Sequence, residues 1–361
     1  MRITSVTPMK NEAPFILEWI AYHQLIGIND MIVFSNHCTD GTDHMLERLD
    51  EMGIVRHLTN PSVFNENSHH HWQATRYVNT LARLKRSDWV INFDVDEFIC
   101  VNVGDGTLQA LFDAVDDANV ITINQHNFGS SGLDTYDDKL LIDQFEYAWS
   151  YSGIYNVKVA RRGTKTLTHK SANAKHFANH SPNIEEHNLD GVKYVNGNGK
   201  QLDSTLLLDD VKSLVAPDFG YELVQLNHYA IKSTKSFLVQ ADRGNANHEN
   251  RSADLKYWKK YNHNDVHDTR IQRWSERVAE GVAKLRQDAE LNELHEKAVQ
   301  HHRDRIATLL ADPDSRKLYR QIRRHHRDNP GLVPPRRVQS DQAAPASTVT
   351  GHSETQESSA A

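Results

Sequence analysis

The feature that most constrains this chain is the alternation in its first 125 residues, where short apolar runs are separated by amphipathic stretches long enough to be helices. Arg2 to Thr7 reads as a strand, and Met31-Ile32-Val33-Phe34 as a second, continuous apolar one. Ile54-Val55 and their neighbours, Trp89-Val90-Ile91 and Val120 to Ile123 read as further strands. Between the first two, Phe15, Trp19, Tyr22 and Ile26 recur at spacings of three to four, which lays one buried stripe along a helix. Met45, Leu46 and Leu49 mark a second helix, and residues 68–87 and 107–117 two more. Asn11 and Pro14 signal the first helix start, because asparagine caps free N–H groups and proline fits a first turn. Strands joined by helices at this spacing imply βαβ units, hence an α/β fold with a mostly parallel sheet covered on both faces.

Such sheets bind ligands beyond the carboxyl ends of their strands. The loops after the first, second and fourth strands carry Lys10-Asn11-Glu12, Asn36-His37-Cys38-Thr39-Asp40 and Phe93-Asp94-Val95-Asp96-Glu97, and all three are expected to face one cleft. Asp94 and Asp96 stand two apart where an apolar strand gives way to a loop. There, two carboxylates can converge on a hard cation, Mg²⁺ or Mn²⁺, that keeps open positions for phosphate oxygens. Unpaired carboxylates beside Phe93 and Phe98 would be costly. An EF-hand is excluded, because Ile99 stands where its glycine belongs and Asp105 where its bidentate glutamate belongs.

The net charge of -7 gives the molecule no electrostatic reason to seek nucleic acid. Cys38 and Cys100 are the only cysteines, which excludes a disulfide framework and a cysteine-rich zinc site. With no apolar leader visible and no stretch of about 20 apolar residues, the expectation is a soluble, cytoplasmic protein without a signal peptide. Residues 126–235 are irregular and rich in glycine, asparagine and histidine. From about 250 to 328 the chain is helical, and from about 338 its Ser/Thr/Gln/Ala-rich composition predicts disorder. Residues 301–337 hold ten Lys/Arg against four Asp/Glu. They form either a solvated helix face or a patch for peripheral docking on anionic lipid.

The stretch from Met9 to His23 (MKNEAPFILEWIAYH) resembles the opening motif of the family-2-like and family-92-like glycosyltransferases. Leu25 to Ile28, Phe34 to Thr42, Asp88 to Phe98, Phe128 to Gly132 and Asn227 to Ser233 extend that resemblance, in order, to about residue 245. It implies a GT-A (Rossmann-like) fold, a nucleotide-sugar donor, here taken as a UDP-sugar, and Mn²⁺ or Mg²⁺. The acceptor would be a hydroxyl of a glycan or of a lipid-linked sugar.

By motif, Asp94 and Asp96 match the metal-binding pair, with His228 a candidate third ligand. Lys10, Asn11, Glu12, Asn36 and Asp40 match the loops around the nucleotide, and Lys232 and Arg243 are candidates for the diphosphate. The implied organisation is a catalytic domain over 1–245, divided into a nucleotide-sugar half (1–125) and an acceptor and metal-completing half (126–245). A helical extension (246–330) and a disordered tail (331–361) follow. An inverting course needs a base, for which Asp134, Glu185 and Glu186 are candidates.

Trp19 and Trp89 read as core anchors, Gly129 to Gly132 as a ligand cradle or a tight turn, and Leu291, Leu294 and Ala298 as packing. His69-His70-His71 reads as solvent-exposed, and His169, His176, His180 and His187 as surface or acceptor-site residues. Two other functions fit parts of the pattern, a metal-dependent phosphoesterase and a non-catalytic glycan-binding module.

Overall fold

The computed structural model describes residues 1–64, 69–151, 161–244 and 253–334. Strand β1 (Ile3–Met9), helix α1 (Ile16–Ile26), β2 (Asp30–Ser35), α2 (Thr42–Glu51) and β3 (Arg56–Thr59) form two successive βαβ units, with all pairings parallel. After α3 (His70–Val78), β4 (Trp89–Asn92) joins the other side of β1, again in parallel. Beyond β4 the sheet becomes mixed. The chain runs through β5 (Glu97–Val101) and β6 (Val120–Asn127), and the long strand Arg161–His169 then inserts antiparallel between β4 and β6. Strand Val224–His228 closes the arrangement, parallel to β6 and antiparallel to β5. The result is the helix-flanked, mostly parallel sheet that the alternation implied.

Local physics explains where the elements differ from the sequence reading. The third strand starts at Arg56, not at Ile54-Val55. Val55 is buried in the turn that ends α2, and β3 is a sheet edge whose residues are half-exposed or exposed, so it lacks the apolar signature. The helix expected over 68–87 is two helices, α3 and a short Ala82–Lys85. They part at Asn79, whose side chain bonds the carbonyls of Thr75 and Phe177. Asn11 caps nothing. It adopts φ 52°, and its amide exchanges hydrogen bonds with Thr39, which ties the first loop to the second.

Trp19 and Trp89 are core anchors, Trp89 stacking on Phe112 with ring centroids 4.3 Å apart. Helix α1 is buried almost all round, because helix Ser275–Leu285 packs along it. Helix Ala289–Ala311 buries Leu291 and Ala298 in the same core, with Leu294 packed against it, and also lies on α2 and helix Thr234–Arg243. The C-terminal helices therefore complete the core of the sheet domain. The tail expected to be disordered falls, from residue 335 onward, outside the described residues. Among the described residues no helix is long and apolar enough to cross a membrane.

Candidate functional site

A cleft of about 1070 Å³ opens beside the carboxyl ends of β1 and β4. The tight Asp94–Glu97 turn between β4 and β5 forms part of its floor, pinned by the bond from the Glu97 N–H to the Asp94 carbonyl, 3.1 Å. The Glu97 carboxylate returns to the Asp94 N–H at 2.9 Å, and the Tyr229 N–H bonds the Asp96 carbonyl at 2.8 Å. Antiparallel pairing sets His228 opposite Glu97, so its ring reaches the same turn. His228 Nε2 lies 3.7 Å from Asp96 Oδ2, while its Nδ1–H donates to Asn127 Oδ1 at 2.6 Å. That bond fixes the tautomer and leaves the Nε2 lone pair facing the aspartate.

Beneath Asp94 lies a cation that the sequence reading missed. Lys165 Nζ is 3.5 Å from Asp94 Oδ2 and 3.9 Å from Glu97 Oε2, and its side chain is 1% exposed. It also donates to Asn179 Oδ1 at 3.0 Å. Burial pushes the Asp94 carboxyl up, but the Lys165 ammonium pulls it further down, and it ends well below the usual carboxylate range. Glu97 goes the other way. Burial lifts it to about 8, an effect that Lys165 only partly offsets. It is consequently protonated at neutral pH, with Gln125 bonding its Oε1 at 2.6 Å. Burial also lowers His71, His180 and His228 below the ordinary imidazole value, so all three are neutral.

Of the predicted residues, the structure brings Lys10, Glu12, Asp94, Asp96, His228 and Arg243 to this cleft. Arg243 comes with its guanidinium engaged, donating to the Lys10 carbonyl at 2.9 Å, the Asn11 carbonyl at 3.2 Å and the Glu12 carboxylate. It is thus a clamp on the first loop. Asn36 and Asp40 do not line the cleft. Asp40 accepts the N–H groups of Ala13 and Thr42, each at 3.0 Å, and Asn36 meets Asn60. Lys232 points elsewhere, its Nζ 4.5 Å from the Phe15 ring centroid.

The three candidate bases are displaced as well. Asp134 accepts the Tyr319 hydroxyl at 3.0 Å and pairs with Lys235 at 3.3 Å. Glu185 pairs with Lys175 at 2.9 Å, and Glu186 opens an adjacent 3-10 turn. None of the three lines the cleft.

The histidine run also needs correction. His70 and His71 are buried, and His71 Nδ1 stands 3.6 Å from Asp94 Oδ1. Of the scattered histidines only His180 reaches the cleft. Gly129 to Gly132 is a tight turn held by Asn262 and Asn264, which accept the N–H groups of Ser130 and Ser131. A Cβ at Gly129 would come within 2.5 Å of Asn264 Oδ1.

Among the described residues, no group of three or more His, Cys, Asp or Glu side chains is arranged to hold a metal alone. The residues fit an open site instead. Asp94 Oδ1 is buried without a hydrogen-bond partner among the described residues, and the His228 lone pair faces Asp96. Two carboxylates with substrate oxygens and water suit Mg²⁺ or Mn²⁺.

Sheet and cleft together define the class as an α/β protein of the GT-A type. Residues 2–201 match the profile of glycosyltransferase family 92, just over half of the chain. The chain belongs to glycosyltransferase family 92. A family 92 protein of Ricinus communis is 28% identical over 133 residues, 35% of this chain and 23% of that protein. One of Arabidopsis thaliana is 32% identical over 95 residues, 26% of this chain and 15% of that protein. The chain thus spans about a quarter or less of the curated relatives that it matches. Among solved structures, residues 1–349 of S. aureus TarS align at 9% identity with a TM-score of 0.32, covering 91% of this chain and 92% of that one. Glucosyl-3-phosphoglycerate synthase of Mycobacterium tuberculosis, in complex with Mg²⁺ and UDP, aligns at 18% identity with a TM-score of 0.24, over 34% and 43% of the two chains. Scores this low add nothing to the assignment.

Proposed function

We propose that this chain moves a sugar from a UDP-sugar to a hydroxyl of a glycan or lipid-linked acceptor, within the cleft described above. The observation that carries the reading is the pair of carboxylates Asp94 and Asp96 on the cleft floor, one with an oxygen that has no hydrogen-bond partner among the described residues. Asp94, Asp96 and His228 would hold Mn²⁺ or Mg²⁺, which would supply neutralisation of the charge growing on the leaving diphosphate. Lys165 keeps Asp94 ionised, and Arg243 holds the Lys10–Glu12 loop against the cleft wall. At about 1070 Å³ the cleft exceeds the ~300–1,000 Å³ of most small-ligand pockets, which leaves room for donor and acceptor together.

The test is calorimetric titration of UDP with Mn²⁺ or with chelator, on wild type and Asp96→Ala. Metal-dependent binding weakened at least about tenfold by the substitution, ~1.4 kcal/mol, supports the reading. If neither UDP nor GDP, CMP or dTDP binds, the reading fails.

We also propose that the basic C-terminal face docks on anionic lipid. On helix Pro313–Asp328, Arg316, Lys317 and Arg320 are exposed and pair with no carboxylate among the described residues. Co-sedimentation of the full chain with phosphatidylserine vesicles, weakened by charge-neutral substitutions at these three positions, is the expected result. Absence of binding by the intact chain ends this part of the proposal.

A further inference from the structure

The molecule is acidic, yet its cleft is not. Among the described residues lining it are seven Lys/Arg against four Asp/Glu, an excess of three positive charges inside a protein of net charge -7. Two of the seven cations are committed, Lys165 to Asp94 and Arg243 to Glu12. Four others stand exposed on facing elements. Arg161 and Lys212 lie on the paired strands Arg161–His169 and Ser213–Val215 and the residue that precedes the latter. Lys256 and Lys260 lie four apart on helix Leu255–Tyr261, and so share one face of it. None of the four pairs with a carboxylate among the described residues. Among the described residues, Arg161 meets only the Ser213 hydroxyl, at 3.2 Å, and Lys260 only the Tyr261 hydroxyl and ring.

The donor does not account for this charge. A divalent cation and the two negative charges of a UDP-sugar diphosphate cancel, so the cleft keeps its excess of three when both are bound. Beside the cations, Tyr257 and Tyr261 pack at 4.5 Å between centroids, and Trp149 lies 6.2 Å from Tyr261. Aromatic faces with polar edges bind the apolar faces of sugar rings. Cations held in a low-dielectric cleft concentrate anions there.

We propose that the acceptor is an anionic saccharide, bearing carboxylate or phosphate, seated between Arg161 and Lys212 on one wall and Lys256 and Lys260 on the other. This rests on the glycosyltransferase reading of the same cleft. The experiment saturates the full chain with Mn²⁺ and UDP, then titrates tetragalacturonate, maltotetraose 6-phosphate and neutral maltotetraose at low and at physiological salt. At least one charged probe binds about tenfold tighter than the neutral one, and the advantage shrinks with salt. Each rim charge contributes a factor of about 1.5 to 5. Lys256→Gln with Lys260→Gln, or Arg161→Gln with Lys212→Gln, therefore removes most of that advantage while UDP affinity stays within about twofold. The charged probe that wins distinguishes carboxylate from phosphate.

Equal binding of charged and neutral probes, failure of both charged probes to bind, or an advantage that survives both double substitutions overturns the proposal. Loss of UDP binding by the wild type would instead strike the underlying reading. The two failures are thus told apart in one set of titrations.

Discussion

Lys165 stands beside two acids at once. It is the one ammonium within 4 Å of both Asp94 and Glu97 among the described residues. Replacing it by methionine leaves the shape but strands a buried carboxylate, a change that costs about 3–5 kcal/mol when a buried pair loses one partner. Lys165→Met should lower the urea midpoint accordingly, and a second change, Asp94→Asn, should recover part of the loss. If the single variant is as stable as wild type, the ammonium has no such role. Asp94 and Asp96 were legible in the sequence because local chain geometry alone brings them to the end of a strand. Lys165 was not. It lies 71 residues from Asp94, in a stretch without apolar periodicity, and only sheet pairing carries it there. His71 was misread for a related reason. Adjacent histidines on a helix look like surface, and only packing of α3 over the sheet buries His70 and His71.

Among the elements, helix Thr234–Arg243 couples the core to the cleft. Ser233 caps it, accepting the Ser236 N–H at 3.3 Å, and its last residue, Arg243, grips the loop after β1. Ser233→Ala removes that cap at a cost of about 1 kcal/mol, with a fall in melting temperature of about 2–4 °C. Ser233→Thr keeps a hydroxyl at the cap and should lose less, as a pair of thermal melts will show. Strands β2 and β4 were legible as continuous apolar runs because both of their faces are buried. The long strand Arg161–His169 escaped notice. Its alternation sets Thr164, Thr166 and Thr168 against Lys165 and Leu167, and all five are buried, so the polar residues concealed a central strand.

For the molecule as a whole, two buried histidines set an acid limit. Burial lowers His23 and His302 each to about 3. His23 Nδ1–H donates to the Trp19 carbonyl at 2.8 Å, and its Nε2 accepts the Ile99 N–H at 3.4 Å, an arrangement that only the neutral ring can make. In the unfolded chain both histidines titrate near 6.5. Their contribution is therefore complete above pH 6.5 and is lost as pH falls from there towards 3. Each removes about 1.4 kcal/mol per pH unit within that window. The loss of unfolding free energy between pH 7 and 5.5, measured by urea, should be smaller in His302→Gln than in wild type by about 1 kcal/mol. A variant with the pH dependence of the wild type would contradict the buried, neutral assignment of His302.

The insertion of Arg161–His169 between β4 and β6 also bears on how the chain is made. Synthesis delivers β4 and β6 long before the strand that joins them, and β5 and β6 before Val224–His228 bridges that pair. A nascent chain of about 150 residues therefore carries one half-sheet with an open edge at β4, and β5 and β6 without any of their partners, the state in which strands recruit wrong neighbours. The order of strands in this sheet differs from their order on the message, so ribosome-stalled chains should become protease-resistant only after residue 228 has left the exit tunnel.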